Sequence, residues 1–107
     1  MTTSNQPLIL IRALEQDITV QQIPSWELAT RELLATVQED IRDSELTATL
    51  KIAIETEDTD SLEDFLKIQY NSDSECQLNH HYLKLYLSDY LGLNLLYRIE
   101  PLKYYHA

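Results

Sequence analysis

Apolar positions recur at helical spacing over much of this chain, and most clearly after Ser25. Six positions there form one side of a helix with a period of 3.6 residues. They are Trp26, Thr30, Leu33, Leu34, Val37 and Ile41. Ser25 suits the N-cap, because a serine hydroxyl accepts a hydrogen bond from a free N–H of the first turn. The pattern predicts a helix that starts at Ser25 and ends near Arg42.

The next segment, residues 45–56, fits two patterns. Every second residue from Leu46 to Ile54 is apolar or alanine, as in a half-buried strand, but Leu46, Leu50 and Ile54 also fit one helix face. Ser44 as a cap favours the helix, whereas several β-branched residues favour the strand. We interpret the segment as a helix. A capping-box sequence at 60–63 then predicts another helix, so residues 44–70 form a helix–acidic loop–helix hairpin.

The segment Leu78–Tyr105 is the most apolar part of the chain and holds six of its seven tyrosines. Tyr82, Tyr86 and Tyr90 are four residues apart, a spacing that places side chains near one another on a helix. Asn79 suits the N-cap of this helix, and Gly92 suits the left-handed residue after its end. We therefore predict a tyrosine-bearing helix here.

The short apolar run Pro7–Ile11 fits a helix ending near Asp17, although a strand is an open alternative. One glycine and three prolines are few for a protein built of tight turns. We predict an all-α fold of four to five short helices. The alternative is α+β, with a small sheet from residues 7–23 and 46–55. Residues 1–107 are predicted to form a single domain, with residues 1–6 disordered.

The formal net charge is −10, and it is unevenly distributed. Residues 1–69 hold fourteen acidic and five basic residues, a net charge of −9, and residues 70–107 carry −1. This balance argues against direct binding to nucleic acid or to an anionic membrane, since both need a cationic surface. No stretch is apolar enough for a membrane span, and the lone Cys76 suits a reducing compartment. We predict a cytoplasmic protein.

Six carboxylates lie within residues 55–64, and we take four of them as partner-binding candidates. They are Glu57, Asp58, Asp60 and Asp64. Calcium would use such oxygens, but the EF-hand pattern is absent, so no metal site is predicted. Cys76, His80 and His81 lack the further ligands of a zinc site and the setting of a catalytic pair. We predict no cofactor and no enzymatic activity.

Tyrosines supply much of the contact area at protein interfaces, because each joins an apolar ring to a polar tip. Four of them are the other partner-binding candidates: Tyr82, Tyr86, Tyr90 and Tyr97. The sequence favours a small acidic, non-enzymatic protein–protein interaction module, an adaptor, inhibitor or regulator. Its partner is a protein, basic if the acidic residues are used, or a second copy bound through the tyrosine-rich C-terminal third. The alternatives are a DNA mimic that inhibits a nucleic-acid-binding protein, and a calcium-binding regulator.

Overall fold

The computed structural model describes residues 7–102 and contains one five-stranded antiparallel sheet with three helices. The strands are β1 Leu8–Leu14, β2 Asp17–Ile23, β3 Glu75–Asn79, β4 Tyr82–Tyr90 and β5 Leu93–Pro101. The helices are α1 Trp26–Ile41, α2 Ser44–Thr56 and α3 Asp60–Gln69. The order across the sheet is β2-β1-β5-β4-β3. The helices therefore connect one edge strand, β2, to the other, β3.

α1 and α2 each begin after a residue whose side chain caps the helix, and all three helices bury an apolar face. The Ser25 hydroxyl accepts a hydrogen bond from the Leu28 N–H at 3.2 Å, and this confirms the predicted start of α1. α2 confirms the helical interpretation of residues 45–56, although Asp43 rather than Ser44 is its cap. α3 begins at Asp60 after Thr59, which makes no capping hydrogen bond through its side chain. The predicted helix–acidic loop–helix hairpin over residues 44–70 is thus present.

The hydrophobic core lies between the helices and one face of the sheet. Each helix contributes fully buried leucines, among them Leu33 of α1, Leu50 of α2 and Leu66 of α3. β4 meets them with three leucines at every second position, all fully buried: Leu83, Leu85 and Leu87. The strict alternation of β4 shows that only one face of the sheet is packed against the described helices.

The all-α prediction was wrong. Residues 8–23, where we favoured a helix ending near Asp17, form the β1–β2 hairpin. The predicted tyrosine helix is β4, and Asn79 is the last residue of β3 rather than a helix cap. The α+β alternative was right about strands within residues 7–23 but wrong about residues 46–55, which are helical. Only the pairing of β1 with β5 joins strands that are distant in sequence, with Leu8 opposite Pro101, and the other pairings join consecutive strands.

The scarcity of glycine did not prevent tight turns, because other residues adopt positive φ in them. Glu15 and His81 have φ values of 56° and 58°, and Leu91 precedes Gly92 with φ values of 52° and 83°. A non-glycine residue in this region costs on the order of 1–2 kcal/mol. Pairing of the flanking strands offsets that cost, so hairpins form without the glycines that their turns favour.

The predicted disorder of residues 1–6 lies outside the described residues, as do the last two tyrosines of the tyrosine-rich segment, Tyr104 and Tyr105. Within residues 7–102, none of the helices is long and apolar enough to span a membrane.

Candidate functional site

The second face of the sheet is not covered by any of the described helices, although three residues that the registers place on it, Ile9, Ile11 and Glu100, are buried. Side chains that point to this face alternate with those of the core along each strand. Tyr82 and Tyr86 of β4 lie on it and are half-buried. Ile18 and Val20 of β2 lie on it as well, and each is 62% exposed. We call this surface the open face.

An apolar row crosses four strands of the open face. The strand registers place Ile18 opposite Ala13, Ala13 opposite Leu96, and Leu96 opposite Tyr86. Since neighbouring strands lie about 4.8 Å apart, the row spans roughly 14 Å. Glu75 of β3 is opposite Tyr86 and ends the row with a charge. We call Ile18, Ala13, Leu96 and Tyr86 the apolar row.

The two sides of the molecule differ in charge. Residues 25–70, which contain the helices, hold twelve acidic and four basic residues, a net charge of −8. The charged residues that the registers place on the open face balance one another. They are Glu75, Lys84, Arg98 and Glu100. Lys84 forms an ion pair with Glu75 at 3.3 Å, and Arg98 forms one with Glu100. An apolar row on a neutral face is suited to contact with another protein.

The four partner-binding tyrosines are divided between three places. Tyr82 and Tyr86 share the open face, but four residues of a strand separate them by roughly 13 Å, more than double the helical spacing. A bulge between Leu87 and Tyr90 turns Tyr90 towards the helices. Its ring centroid lies 5.9 Å from that of Tyr70 at the end of α3. Of the partner-binding tyrosines, only Tyr82 and Tyr86 therefore belong to one surface.

Tyr97 is fully buried and takes part in a polar network between the sheet and α1. Its hydroxyl donates a hydrogen bond to Asp40 Oδ2 at 2.9 Å. Arg12 binds the same carboxylate with two hydrogen bonds, at 2.7 and 2.8 Å. Burial raises the pKa of Asp40, but the hydrogen bonds from Arg12 and Tyr97 outweigh it and hold that pKa below its usual value. Tyr97 thus lies in the core, where its side chain links the sheet to α1, and not on the surface that holds Tyr82 and Tyr86.

Tyr90 lies at a cleft of about 400 Å³ between the end of α1, the end of α3 and the β4–β5 turn. The carboxylate of Asp43 is in its wall, and Tyr70 donates a hydrogen bond to Asp43 Oδ2 at 2.5 Å. Asp43 Oδ1 accepts from the N–H groups of Glu45 and Leu46, at 3.0 and 3.2 Å. Both oxygens of Asp43 therefore serve the fold, by holding the end of α3 to the start of α2.

The acidic candidates do lie together, on the α2–α3 loop and the first turns of α3. Glu57, Asp58, Asp60 and Asp64 are all exposed. Glu57 ends α2 with φ 57°, and Asp58 Oδ1 accepts a hydrogen bond from the Asp60 N–H at 3.0 Å. We call these four residues the acidic hairpin surface. Its carboxylates face water, and exposed negative charge of this kind attracts cationic surfaces.

Cys76 and the histidines do not form a reactive pair in this structure. Cys76 is 1% exposed, and burial, followed by the charges of Glu63 and Glu75, raises its thiol pKa to about 12. His80 and His81 are exposed at the β3–β4 turn. Within residues 7–102, no group of three or more His, Cys, Asp or Glu side chains converges as a metal site.

Sequence reasoning missed the apolar row, whose members come from four strands. Ile18 and Leu96 were not among the candidates, and their proximity follows only from the registers. The sequence does contain one signal for the strand that carries Tyr86. Residues 82–88 alternate strictly between leucine and another residue, a pattern typical of a strand with one buried face.

Comparison with known proteins finds no matching family model, curated protein or solved structure. The open face and the acidic hairpin surface are therefore the features of this chain that bear on its function.

Proposed function

We propose that this protein is a small non-enzymatic protein–protein interaction module that binds its partner on the open face. The observation that carries the proposal is the apolar row, which ends at Tyr86 on a face whose charges balance. Tyrosine and aliphatic side chains on a flat face provide contact area without the cost of burying unpaired charge. An adaptor, inhibitor or regulator is the class of protein that such a surface suits.

The acidic hairpin surface gives the module a second means of recognition. Carboxylates at the surface steer a basic partner and speed association more than they strengthen the final complex. In this proposal the acidic hairpin surface raises the concentration of a basic partner around the module, and the open face, on the other side of the sheet, binds that partner. A cytoplasmic location is part of the proposal, because the lone thiol of Cys76 suits a reducing compartment.

Replacing Tyr82 and Tyr86 together with threonine is expected to weaken partner binding at least about 30-fold, the effect of losing a hot spot worth about 2 kcal/mol. Threonine keeps the β-propensity of these positions while it removes the rings. The measurement is an affinity pull-down from native lysate with the wild type and the variant as baits. Each is washed at low and at high salt, and the affinity for the recovered partner is then measured.

The matched control replaces Ile52 and Ile68 with threonine. Both are exposed apolar residues, at 58% and 77%, but they lie on α2 and α3. A partner that both variants retain equally well would contradict the proposal for the open face. If the only protein captured is the chain itself, the open face serves self-association through the C-terminal third.

Neutralising the acidic hairpin surface with Asp58→Asn, Asp60→Asn and Asp64→Asn is expected to slow association and flatten its salt dependence. The triple variant removes three negative charges that act at long range in dilute salt. Asparagine retains the side-chain oxygen that Asp58 offers to the Asp60 N–H. The measurement is the association rate constant with the recovered partner at several ionic strengths.

The control for this variant is the set Asp17→Asn, Asp73→Asn and Asp89→Asn, which changes the net charge equally at exposed aspartates elsewhere. Steering by the acidic hairpin surface predicts a larger effect for the first set. Equal effects would mean that only the total charge matters, and unchanged kinetics would remove the surface from the proposal.

The DNA-mimic alternative has one observation in its favour, the charge of −8 over residues 25–70. It differs from the first proposal in the partner it requires. Recovery of a nucleic-acid-binding protein that high salt releases, and that the tyrosine variant still captures, would support the mimic instead.

A further inference from the structure

The outer edge of β2 is the longest exposed strand edge in the described part of the chain. Residues 17–22 are all exposed, and only Ile23 is buried. β2 pairs with β1 on one side, and none of the described residues pairs with it on the other. A free strand edge of this kind presents backbone N–H and C=O groups that can extend the sheet with another strand.

β2 also lacks the features that prevent edge pairing. Charged residues, especially lysine, and proline within the strand are the usual protection. Between residues 17 and 23 there is no lysine, arginine or proline, and Asp17 at the first position is the one charge. The opposite edge strand, β3, is shorter at five residues, α3 packs against it, and Glu75 on it forms an ion pair with Lys84.

We propose that two copies of this chain pair antiparallel through β2, with Val20 at the twofold axis, to form a continuous ten-stranded sheet. In this register Val20 lies opposite Val20 of the second copy, and Ile18 lies opposite Gln22. Directly opposed residues of antiparallel strands point to the same face. The two copies of Ile18 and Val20 therefore form one apolar patch on the open face.

The charge distribution favours β2 as the place where two copies of the chain meet, and it favours the antiparallel direction. The chain carries −10, so most surfaces of two copies repel each other, but β2 holds a single charge at one end. In the proposed register the two Asp17 carboxylates lie at opposite ends of the seven-residue strands, roughly 20 Å apart. A parallel arrangement would place them side by side. The pair has the closed twofold symmetry that is most common among homodimers.

The dimer goes beyond the proposed function and does not depend on it. Partner capture is tested at Tyr82 and Tyr86 of β4, and dimerisation is tested at Val20 of β2. Two strands, β1 and β5, lie between β2 and β4. A failure of either proposal is therefore visible separately.

Sedimentation equilibrium of the full chain is the first test. We expect the average mass to rise with concentration from 12.5 kDa towards twice that value. Val20→Lys is expected to abolish the rise, because it places two like charges directly opposite at the axis. Ile52→Lys is the control: it adds the same charge at a residue of similar exposure on α2 and is expected to dimerise as the wild type does. A constant mass of 12.5 kDa for the wild type, or association that survives Val20→Lys, overturns the proposal.

Disulfide cross-linking tests the register with a variant that adds no charge. Opposed residues have Cβ atoms about 4.5–5.5 Å apart, so Val20→Cys is expected to link two copies under mild oxidation. Ile18→Cys is the matched control, since its two copies would be roughly 13 Å apart. The native Cys76 is buried and does not compete. Cross-linking of Ile18→Cys as fast as Val20→Cys contradicts the antiparallel register.

Discussion

Replacing Asp40 with alanine is expected to lower the free energy of unfolding by about 3–5 kcal/mol, as for the loss of one partner of a buried ion pair. The change leaves the Arg12 guanidinium, whose side chain is only 27% exposed, without its two hydrogen bonds to Asp40. It also leaves the hydroxyl of the fully buried Tyr97 without its acceptor. Urea denaturation followed by circular dichroism measures the loss.

Two further variants separate the network from its surroundings. Tyr97→Phe removes one hydrogen bond to a charged group and is expected to cost about 1.5–3 kcal/mol. Glu39→Ala changes the exposed neighbour on α1 and is expected to change stability by less than about 0.5 kcal/mol. If Asp40→Ala were no more destabilising than Glu39→Ala, the network would not be a main source of stability between α1 and the sheet.

Asp43→Ala is expected to have the next largest effect, a loss of about 2–5 kcal/mol. The change removes the N-cap of α2, worth about 0.5–2 kcal/mol, together with a charged hydrogen bond from Tyr70, worth about 1.5–3 kcal/mol. Tyr70→Phe removes the second contribution alone, so the difference between the two variants estimates the cap. A loss below about 1 kcal/mol for Asp43→Ala would contradict this account.

The pH dependence of stability gives an independent check on Asp43. The hydrogen bond from Tyr70 and those from the Leu46 and Glu45 N–H groups hold the pKa of Asp43 below its usual value, although burial opposes them. Its contribution to stability is therefore present above the unfolded pKa of about 3.9 and is lost as the pH falls through the folded pKa. Asp43→Asn is expected to lose less stability than the wild type on acidification below about pH 4. Equal losses would show that Asp43 is not held in its charged form.

The helical part of this fold could be predicted from the sequence because its determinants are local. Ser25 and the apolar stripe to Ile41 specify α1 within one stretch of chain. The acidic loop before Asp60 and the face formed by Leu62 and Leu66 do the same for α3. The acidic hairpin surface followed from these elements, since its residues lie on one loop and the helix after it.

The strands could not be assigned as readily, because a four-residue spacing fits both helix and strand. Tyr82 and Tyr86 share a face in either structure, and the bulge at Asp89 that turns Tyr90 away leaves no clear pattern in the sequence. Tyr97 looked like another interface tyrosine, yet its hydroxyl is paired with Asp40, fifty-seven residues earlier in the chain. Such contacts depend on how the sheet is assembled.

The sequence by itself determined the three helices, the charge imbalance and the presence of tyrosines suited to an interface, since each depends on composition or on residues a few positions apart. Only the tertiary structure decided which tyrosines reach a common surface and which residues join them. The apolar row brings Ile18 of β2 into line with Tyr86 of β4 through two intervening strands. Side chains on different strands become neighbours through backbone pairing at a particular register, and no local pattern specifies that register.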